Sequence, residues 1–327
     1  MSYPADAVIA VTYRCNGRCL MCNIWRVPPV PEMRPGAYRE MPNTLRYINI
    51  TGGEPFMRHD LPEVIKQIVE SCPNAEIVIS TNGILTQKIR EMMPQILAIT
   101  PTIGVGVSMD GVRDMHDKIR GVKGAYAKAR DTVEALKELG MTNLRIAFTA
   151  TQENVSHMRK VYELSREMGV GFSCAIAHCS SHYFMTTEGS FAIAPSELRA
   201  QIRSIVRSEL KSWAPKRWAR AYFMAGLIQF AEGRGRALPC SAGVDTIFVS
   251  PNGDVFPCNV FSARMGNISE RPFADLWLSD EAEAARKRLA KCTDSCWMIC
   301  SARMPMRRHR AKVARWILRH KLLGGRM

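Results

Sequence analysis

Short apolar runs alternate with longer segments of helical periodicity along the first half of the chain. The runs resemble buried or half-buried strands, whereas the segments between them repeat apolar residues every three to four positions. The pattern predicts six strands, over residues 8–11, 47–51, 76–83, 103–107, 144–149 and 170–177. It predicts helices over residues 61–72, 86–93, 124–140 and 155–169. Strands that alternate with helices indicate the α/β class, with a parallel sheet and right-handed crossovers.

The last quarter of the chain has a pattern typical of a hairpin. Residues 246–250 and 255–256 read as two strands, and Pro251-Asn252-Gly253-Asp254 between them has the composition of a tight turn. A helix is expected after residues 273–277. The longest apolar stretch, residues 221–230, is far too short to span a bilayer.

Composition adds a strong positive charge, much of it near the end of the chain. The net charge is +15, and residues 303–327 contain many basic and no acidic residues. Apolar residues such as Val313, Trp316 and Leu322 recur between them at helical spacing, which is typical of a basic amphipathic helix. Three uses stay open: an anionic membrane surface, docking on the protein's own body or a partner, and nucleic acid, for which no aromatic RNA-binding motif is present. A second basic stripe recurs every four residues, at Arg199, Arg203, Arg207 and Lys211.

Three cysteines, Cys15, Cys19 and Cys22, follow the first predicted strand with the spacing C-x3-C-x2-C. A four-iron, four-sulfur cluster normally takes four Cys ligands, so three thiolates on one loop would leave one iron with an open position. A closed zinc site usually needs a second, distant pair of Cys or His. Disulfides are disfavoured because the chain has 11 cysteines, an odd number, and no signal-peptide pattern. The triplet therefore indicates an iron–sulfur cluster.

A Gly-Gly-Glu-Pro turn after the second predicted strand completes a recognisable set of motifs. With this turn and the three cysteines, the chain resembles the radical S-adenosylmethionine (SAM) superfamily. The resemblance implies a partial (β/α)6 TIM-like barrel, with the site at the C-terminal ends of the strands. It implies that SAM chelates the open iron of a [4Fe-4S] cluster and is cleaved reductively to methionine and a 5′-deoxyadenosyl radical, which abstracts hydrogen from substrate. The cofactor-binding residues implied by the turn are Gly52, Gly53 and Glu54.

The fourth predicted strand carries a finer resemblance. Ser108-Met109-Asp110-Gly111, followed by His116, Asp117 and Arg120, is similar to a motif of the branch that contains the anaerobic sulfatase-maturating enzymes. The resemblance places Ser108 near the methionine part of SAM and Arg120 on its carboxylate, for which a guanidinium fork is well suited. His116 and Asp117 are expected to order the loop.

Five further cysteines lie in the last quarter of the chain. This segment resembles the SPASM extension, or its shorter twitch form, which binds auxiliary four-iron clusters; five cysteines are too few for two fully ligated clusters, so we expect one. Cys240 and Cys258 match the hairpin ligands of single-cluster members. Two of the remaining three cysteines complete the set, and the favoured pair is Cys300 with either Cys292 or Cys296. Their x3 spacings depart from the expected x2, and a zinc site of four cysteines is the alternative. The candidate auxiliary ligands are Cys240, Cys258, Cys292, Cys296 and Cys300.

No catalytic base can be assigned from the sequence. The sulfatase-maturating enzymes have an aspartate after the Pro-Cys of the hairpin, whereas this chain has Asn259, whose amide is not a useful base. Glu188, His182 and Asp245 are unranked candidates. Cys72 and Cys174 are expected to be buried, and pocket-lining residues are sought among His178, Cys179, His182 and Tyr183.

The resemblance implies an oxygen-sensitive, cytoplasmic enzyme, and the basic tail leaves open a peripheral position at an anionic membrane surface. Its domains would be a barrel at 1–235, an auxiliary cluster domain at 236–302 and the tail at 303–327. Its partners would be a substrate and an electron donor such as flavodoxin or ferredoxin, and nucleic acid is not expected. The substrate would be a small molecule, sugar or lipid head group, since Cys15 lies too early for a preceding leader-peptide-binding domain. Open alternatives are a peptide- or protein-modifying maturase and a non-catalytic electron-transfer or docking protein.

Overall fold

Six parallel strands form the centre of the protein in the computed structural model, which describes residues 2–187, 191–294 and 296–322. The strands are β1 Asp6–Ala10, β2 Tyr47–Thr51, β3 Glu76–Thr81, β4 Gly104–Ser108, β5 Leu144–Ala150 and β6 Gly171–Ile176. The helices of this half are α1 Leu61–Ser71, α2 Thr86–Ile99, α3 Asp114–Arg120, α4 Ala125–Glu138, α5 Met158–Glu167 and α6 Pro195–Lys211. Each of the six strands lies beside its neighbour in sequence, which confirms the α/β class.

The C-terminal part of the chain extends the same sheet. Its strands are β7 Thr246–Val249, β8 Asp254–Phe256 and β9 Gly266–Asn267. Its helices are α7 Pro215–Ala231, α8 Phe273–Trp277, α9 Asp280–Leu289, α10 Ile299–Arg308 and α11 Arg310–Leu322. Over the described residues the strand order is β6-β5-β4-β3-β2-β1-β7-β8-β9, and β7 runs parallel to β1 with Asp6 opposite Thr246. The predicted hairpin is therefore joined to the barrel by backbone hydrogen bonds.

The two faces of the strands differ in composition. On β5, Leu144, Ile146 and Phe148 are buried in the core beneath the helices, whereas Arg145 and Ala147 point to the other face and are only partly buried. Small or polar residues occupy the same face of the neighbouring strands, where ordinary TIM barrels place bulky ones. On β4 to β6 the interior face is therefore lined mainly by short side chains, and Arg145 is the long exception.

The helices differ from the sequence prediction at several points, and α7 was not predicted at all. Helix α2 was expected to end at Met93, before Pro94, but it continues to Ile99. Pro94 is exposed, so its ring faces solvent and the carbonyl that loses a partner can bind water. Helix α3, which ends at Arg120, was not predicted because it spans only seven residues.

The described part of the basic tail is not a single helix: it forms the end of α10, up to Arg308, and helix α11, which packs on α6 and α7. Val313 is buried there, and the Trp316 ring lies edge-on to Tyr222 at a centroid distance of 5.4 Å. Part of the predicted tail, residues 323–327, lies outside the described residues. Among the described residues, no helix is long and apolar enough to cross a membrane.

Candidate active site

The three predicted cluster thiols lie together on the loop that follows β1. Cys15, Cys19 and Cys22 are free and partly buried. A Cβ atom on Gly17 would lie 3.5 Å from the Cys19 sulfur and 3.7 Å from the Cys15 sulfur, so glycine keeps open the space between them. Burial raises the pKa of Cys15 to about 11 and that of Cys22 to about 12. A cationic cluster that neutralises thiolate charge therefore fits this loop.

The Gly-Gly-Glu turn after β2 packs directly on the stem of the thiol loop. The Gly53 amide donates to the Thr12 carbonyl at 2.7 Å, and the Glu54 amide donates to the Arg14 carbonyl at 2.8 Å. A Cβ on Gly52 would lie 2.1 Å from the Thr12 oxygen, and one on Gly53 would lie 2.2 Å from the Arg14 oxygen. The glycines are thus required by close approach of two protein backbones, next to Cys15.

The Glu54 carboxylate joins the ends of β2 and β3. It is fully buried and accepts hydrogen bonds from the Thr81 hydroxyl at 2.8 Å and from the Asn82 amide at 2.7 Å. Burial raises its pKa to about 7, although these bonds act in the opposite direction. Asn82, which belongs to none of the recognised motifs, donates from its side chain to the Asn16 side chain in the thiol loop at 2.7 Å.

Arg120 reaches the thiol loop from the end of α3. Its guanidinium lies 3.6 Å from the Cys19 sulfur and 2.5 Å from the buried Asp110 carboxylate. Burial raises the pKa of Asp110, and Arg120 opposes that rise. Burial alone would lower the pKa of Arg120, but Asp110 and Cys19 hold it above its usual range. The result is a fixed cation beside one thiol.

The loop around α3 is held by the two residues expected to order it. The buried His116 ring accepts a hydrogen bond from the Asp110 amide at 2.9 Å through Nδ1. The Asp117 carboxylate accepts from the amides of Gly124 and Tyr126 at 2.6 and 2.8 Å. Ser108 ends β4 with a partly buried side chain on the barrel-interior face, at the same sheet edge as the thiol loop. The structure thus gathers the residues selected from the motifs.

The candidate auxiliary thiols lie between the hairpin and the start of α10. The thiols of Cys240, Cys258, Cys292 and Cys296 lie close enough for the charge on each to affect the pKa of another. Cys300 is a neighbour of Cys258 and Cys296, and it is buried with Val8 and Phe248 in an apolar cluster. Its sulfur is directed at the Asn259 side-chain oxygen, 3.8 Å away. Among the described residues, no three His, Cys, Asp or Glu side chains are placed to hold a single metal ion.

Arg236 lies beside these thiols as Arg120 lies beside the first set, although it was not among the residues predicted for this site. Its guanidinium lies 3.8 Å from the Cys296 sulfur, donates to the Cys296 carbonyl, and donates to the Ser301 carbonyl at 3.1 Å. Each predicted cluster therefore has an arginine beside one of its thiols. The signal was absent from the sequence because Arg236 belongs to no motif.

The loop after β6 lies between the two sets of thiols. The Tyr183 hydroxyl lies 2.8 Å from the Thr51 hydroxyl at the end of β2, and the Tyr13 hydroxyl donates to the His182 carbonyl at 2.6 Å. His182 Nε2 lies 3.0 Å from the Cys258 carbonyl, and its ring stacks on Phe256. Burial lowers the pKa of His182 to about 4, so the ring is neutral at pH 7.

The other residues considered at the sequence level have different positions. Cys72 and Cys174 are buried in the core, as expected. His178 is close to the Phe230 ring, with 5.3 Å between the centroids. Asp245 precedes β7, at the opposite end of the sheet from the thiol loop, and is ion-paired with Arg308 at 2.5 Å. Glu188 lies outside the described residues.

Comparison with protein families finds two matches. The Radical SAM superfamily matches residues 9–165, and SPASM, an iron-sulfur cluster-binding domain, matches residues 240–301. The two matched segments contain all eight predicted ligand cysteines.

Curated relatives and solved structures agree with these matches. The AdoMet-dependent heme synthase of Methanosarcina barkeri is 26% identical over 85% of this chain and 82% of its own length. The subtilosin biosynthesis protein AlbA of Bacillus subtilis is 25% identical over 84% of this chain, which spans only 60% of that protein. The structure of Streptococcus suis SuiB bound to S-adenosylmethionine has the same fold, with a TM-score of 0.67 at 16% identity, over 89% of this chain and 71% of that one.

Proposed function

The chain belongs to the radical SAM superfamily and carries a SPASM domain, and from this premise we propose how its own residues divide the work. As a member it is an enzyme that uses SAM, a [4Fe-4S] cluster and an auxiliary iron–sulfur cluster. When bound, the first cluster supplies the electron that cleaves SAM to methionine and a 5′-deoxyadenosyl radical. We assign Cys15, Cys19 and Cys22 to hold it.

The observation that carries this assignment is the buried Asp110–Arg120 pair beside Cys19. Asp110 fixes the guanidinium, and the remaining donors of Arg120 can hold the SAM carboxylate. The Gly52 and Gly53 backbone lies against the stem of the thiol loop and is positioned to receive the SAM amino group. Glu54 orients this turn through Thr81 and Asn82, and its own carboxylate oxygens are already hydrogen-bonded.

For the auxiliary cluster we assign Cys240, Cys258, Cys292 and Cys296. This set is supported by the mutual proximity of the four thiols and by Arg236 beside Cys296. Cys300 is then a free thiol in the apolar cluster that separates the two sites. We retain the division into a barrel at 1–235, a cluster domain at 236–302 and a tail at 303–327.

The substrate that the structure favours is a small molecule that enters the barrel interior from the thiol-loop end. The support is the interior face of β4 to β6, where short side chains such as those of Ser108, Ala147 and Ser173 leave room. A peptide is the second candidate. It is supported by similarity to the subtilosin biosynthesis protein and to the Mycolicibacterium smegmatis mycofactocin maturase, which is 26% identical over 83% of this chain.

The proposal is tested with anaerobically reconstituted protein, SAM and dithionite. The expected product is 5′-deoxyadenosine, formed by the wild type and not by Cys15→Ala. About eight irons per chain are expected in the wild type, because two four-iron clusters are bound. Equal 5′-deoxyadenosine from both proteins would refute the assignment of the thiol loop, and about four irons would refute the auxiliary site.

We propose in addition that the α11 region binds an anionic membrane surface. Trp213, Leu318 and Leu322 are 85%, 56% and 69% exposed, and Lys321 Nζ lies 4.8 Å from the Trp213 ring. Exposed apolar side chains beside cations are typical of interfacial attachment.

Sedimentation with vesicles of phosphatidylglycerol and phosphatidylcholine tests this attachment. Trp213→Ala combined with Leu322→Ser should weaken binding, whereas Leu278→Ser, at another exposed leucine, should not. Absence of wild-type binding to the anionic vesicles would refute attachment, as would equal loss in the control.

A further inference from the structure

Arg145 occupies an unusual position on the interior face of the barrel. It is the second residue of β5, and its partners in the neighbouring strands are Gly106 on β4 and Gly171 on β6. A Cβ on Gly106 would lie 3.5 Å from Arg145 Nε, so the Arg145 side chain passes over β4 at a residue that has no side chain. Two flanking glycines therefore give a long cation room in the barrel interior.

Arg145 has no acidic partner among the residues that the structure describes. Within the described parts of the chain, its side chain forms no ion pair or hydrogen bond. Its charged neighbours are two other arginines, Arg303 and Arg220, and burial together with these cations lowers its pKa to about 10. A charge in such a setting normally has a partner, because desolvation of an unpaired ion is costly.

The carboxylates that pair with these two arginines are already engaged. Asp6, at the start of β1, is buried and pairs with Arg303. Glu209 is buried on α6 and is shared by Arg217 and Arg220, at 2.8 and 2.7 Å. In the group formed by these residues and Arg145, positive charge thus exceeds negative charge.

We propose that Arg145 binds an anionic group of the substrate, a phosphate or a carboxylate, deep in the barrel interior. The inference rests on the proposed function, since it specifies what the substrate carries. Arg145 lies near the N-terminal end of β5, whereas the thiol loop lies at the C-terminal ends of the strands. A substrate anchored there would extend through the interior, with its reacting carbon toward SAM. The guanidinium fork matches either oxyanion.

The test measures anion binding by the reconstituted protein, with no need for the true substrate. Thermal unfolding is followed anaerobically at constant ionic strength, with SAM saturating so that Arg120 is engaged. Inorganic phosphate is titrated in one arm and acetate in the other. The variants are Arg145→Gln and Arg145→Lys, and the control is Arg159→Gln, at an exposed arginine of α5 paired with Glu163.

The expected result is an anion-dependent rise in Tm for the wild type and Arg159→Gln that is lost in Arg145→Gln and reduced in Arg145→Lys. A rise with phosphate alone identifies a phosphate group, and a rise with acetate identifies a carboxylate. An equal rise in Arg145→Gln, or no rise in the wild type with either anion, overturns the proposal. Iron content and circular dichroism show whether Arg145→Gln is folded, and if it is not, Arg145→Lys decides by the same criterion. Failure of the wild type to form 5′-deoxyadenosine would count against the proposed function but not against this site.

Discussion

The Asp110 carboxylate lies 2.5 Å from the Arg120 guanidinium, and the two side chains are 0% and 9% exposed. The pair is therefore one unit: removal of either charge leaves the other buried without compensation. It also joins the end of β4 to the end of α3, beside the thiol loop.

Asp110→Asn should destabilise the protein by about 3–5 kcal/mol, because the buried Arg120 charge loses its partner. Urea unfolding of the apoprotein measures this. The control is Glu153→Gln, which breaks a solvent-exposed pair with Lys118 and should change stability little, because water screens that pair. Similar losses in both variants would show that the Asp110–Arg120 pair is not a special stabilising contact.

Gly53→Ala should disturb the thiol loop. The new Cβ would meet the Arg14 carbonyl at 2.2 Å, so the backbone next to Cys15 must move, at a cost of about 1–3 kcal/mol. Lower iron content and a lower Tm are expected. Gly36→Ala is the matched control, since a Cβ there meets nothing within 4 Å. Unchanged iron content in Gly53→Ala would contradict the packing described.

His116 should make the protein less stable in mild acid. Burial lowers its pKa from 6.5 to about 3. Between these values the unfolded chain takes up a proton that the folded chain does not, so stability decreases as the pH falls through this window. His116→Asn should reduce the slope of the unfolding free energy against pH in this window, by an amount that corresponds to at most one proton taken up on unfolding. Urea midpoints of the apoprotein across the window provide the measurement, and parallel curves for the two proteins would rule out the effect.

Cys300→Ala should retain both clusters, whereas Cys296→Ala should lose the auxiliary one. The reason is that Cys296 has three thiol neighbours besides Cys300, while Cys300 faces Asn259 and an apolar cluster. Iron and sulfide counts, together with the electron paramagnetic resonance spectrum of reduced protein, distinguish the two outcomes. If Cys300→Ala loses about four irons and Cys296→Ala does not, the ligand assignment must be exchanged.

The sequence contained most of the fold because its signals are local. Alternation identified the strands, and the three cysteines and the Gly-Gly-Glu turn identified the family. The predicted first strand, 8–11, is shifted by two residues at its start, because Asp6 is buried through an ion pair with Arg303 that no local pattern reveals.

The parts that escaped prediction depend on contacts between distant residues. The pairing of β7 with β1 joins segments more than two hundred residues apart, and hydropathy does not encode it. The Glu54 carboxylate is engaged by Thr81 and Asn82, which the motif alone could not show. Arg145 read as the polar position of an alternating strand, a pattern that does not distinguish a barrel interior from solvent.

The adjacency of β7 and β1 has a consequence for oxidative damage. The ladder between them runs from Asp6 to Ile9, and β1 leads directly into the thiol loop. If oxygen removed iron from the auxiliary cluster domain, the hairpin would loosen. Because β7 and β1 share main-chain hydrogen bonds, β1, the strand that leads to Cys15, would loosen as well. We therefore expect the two clusters to be lost together, so that a molecule that retains only the cluster of the thiol loop is short-lived.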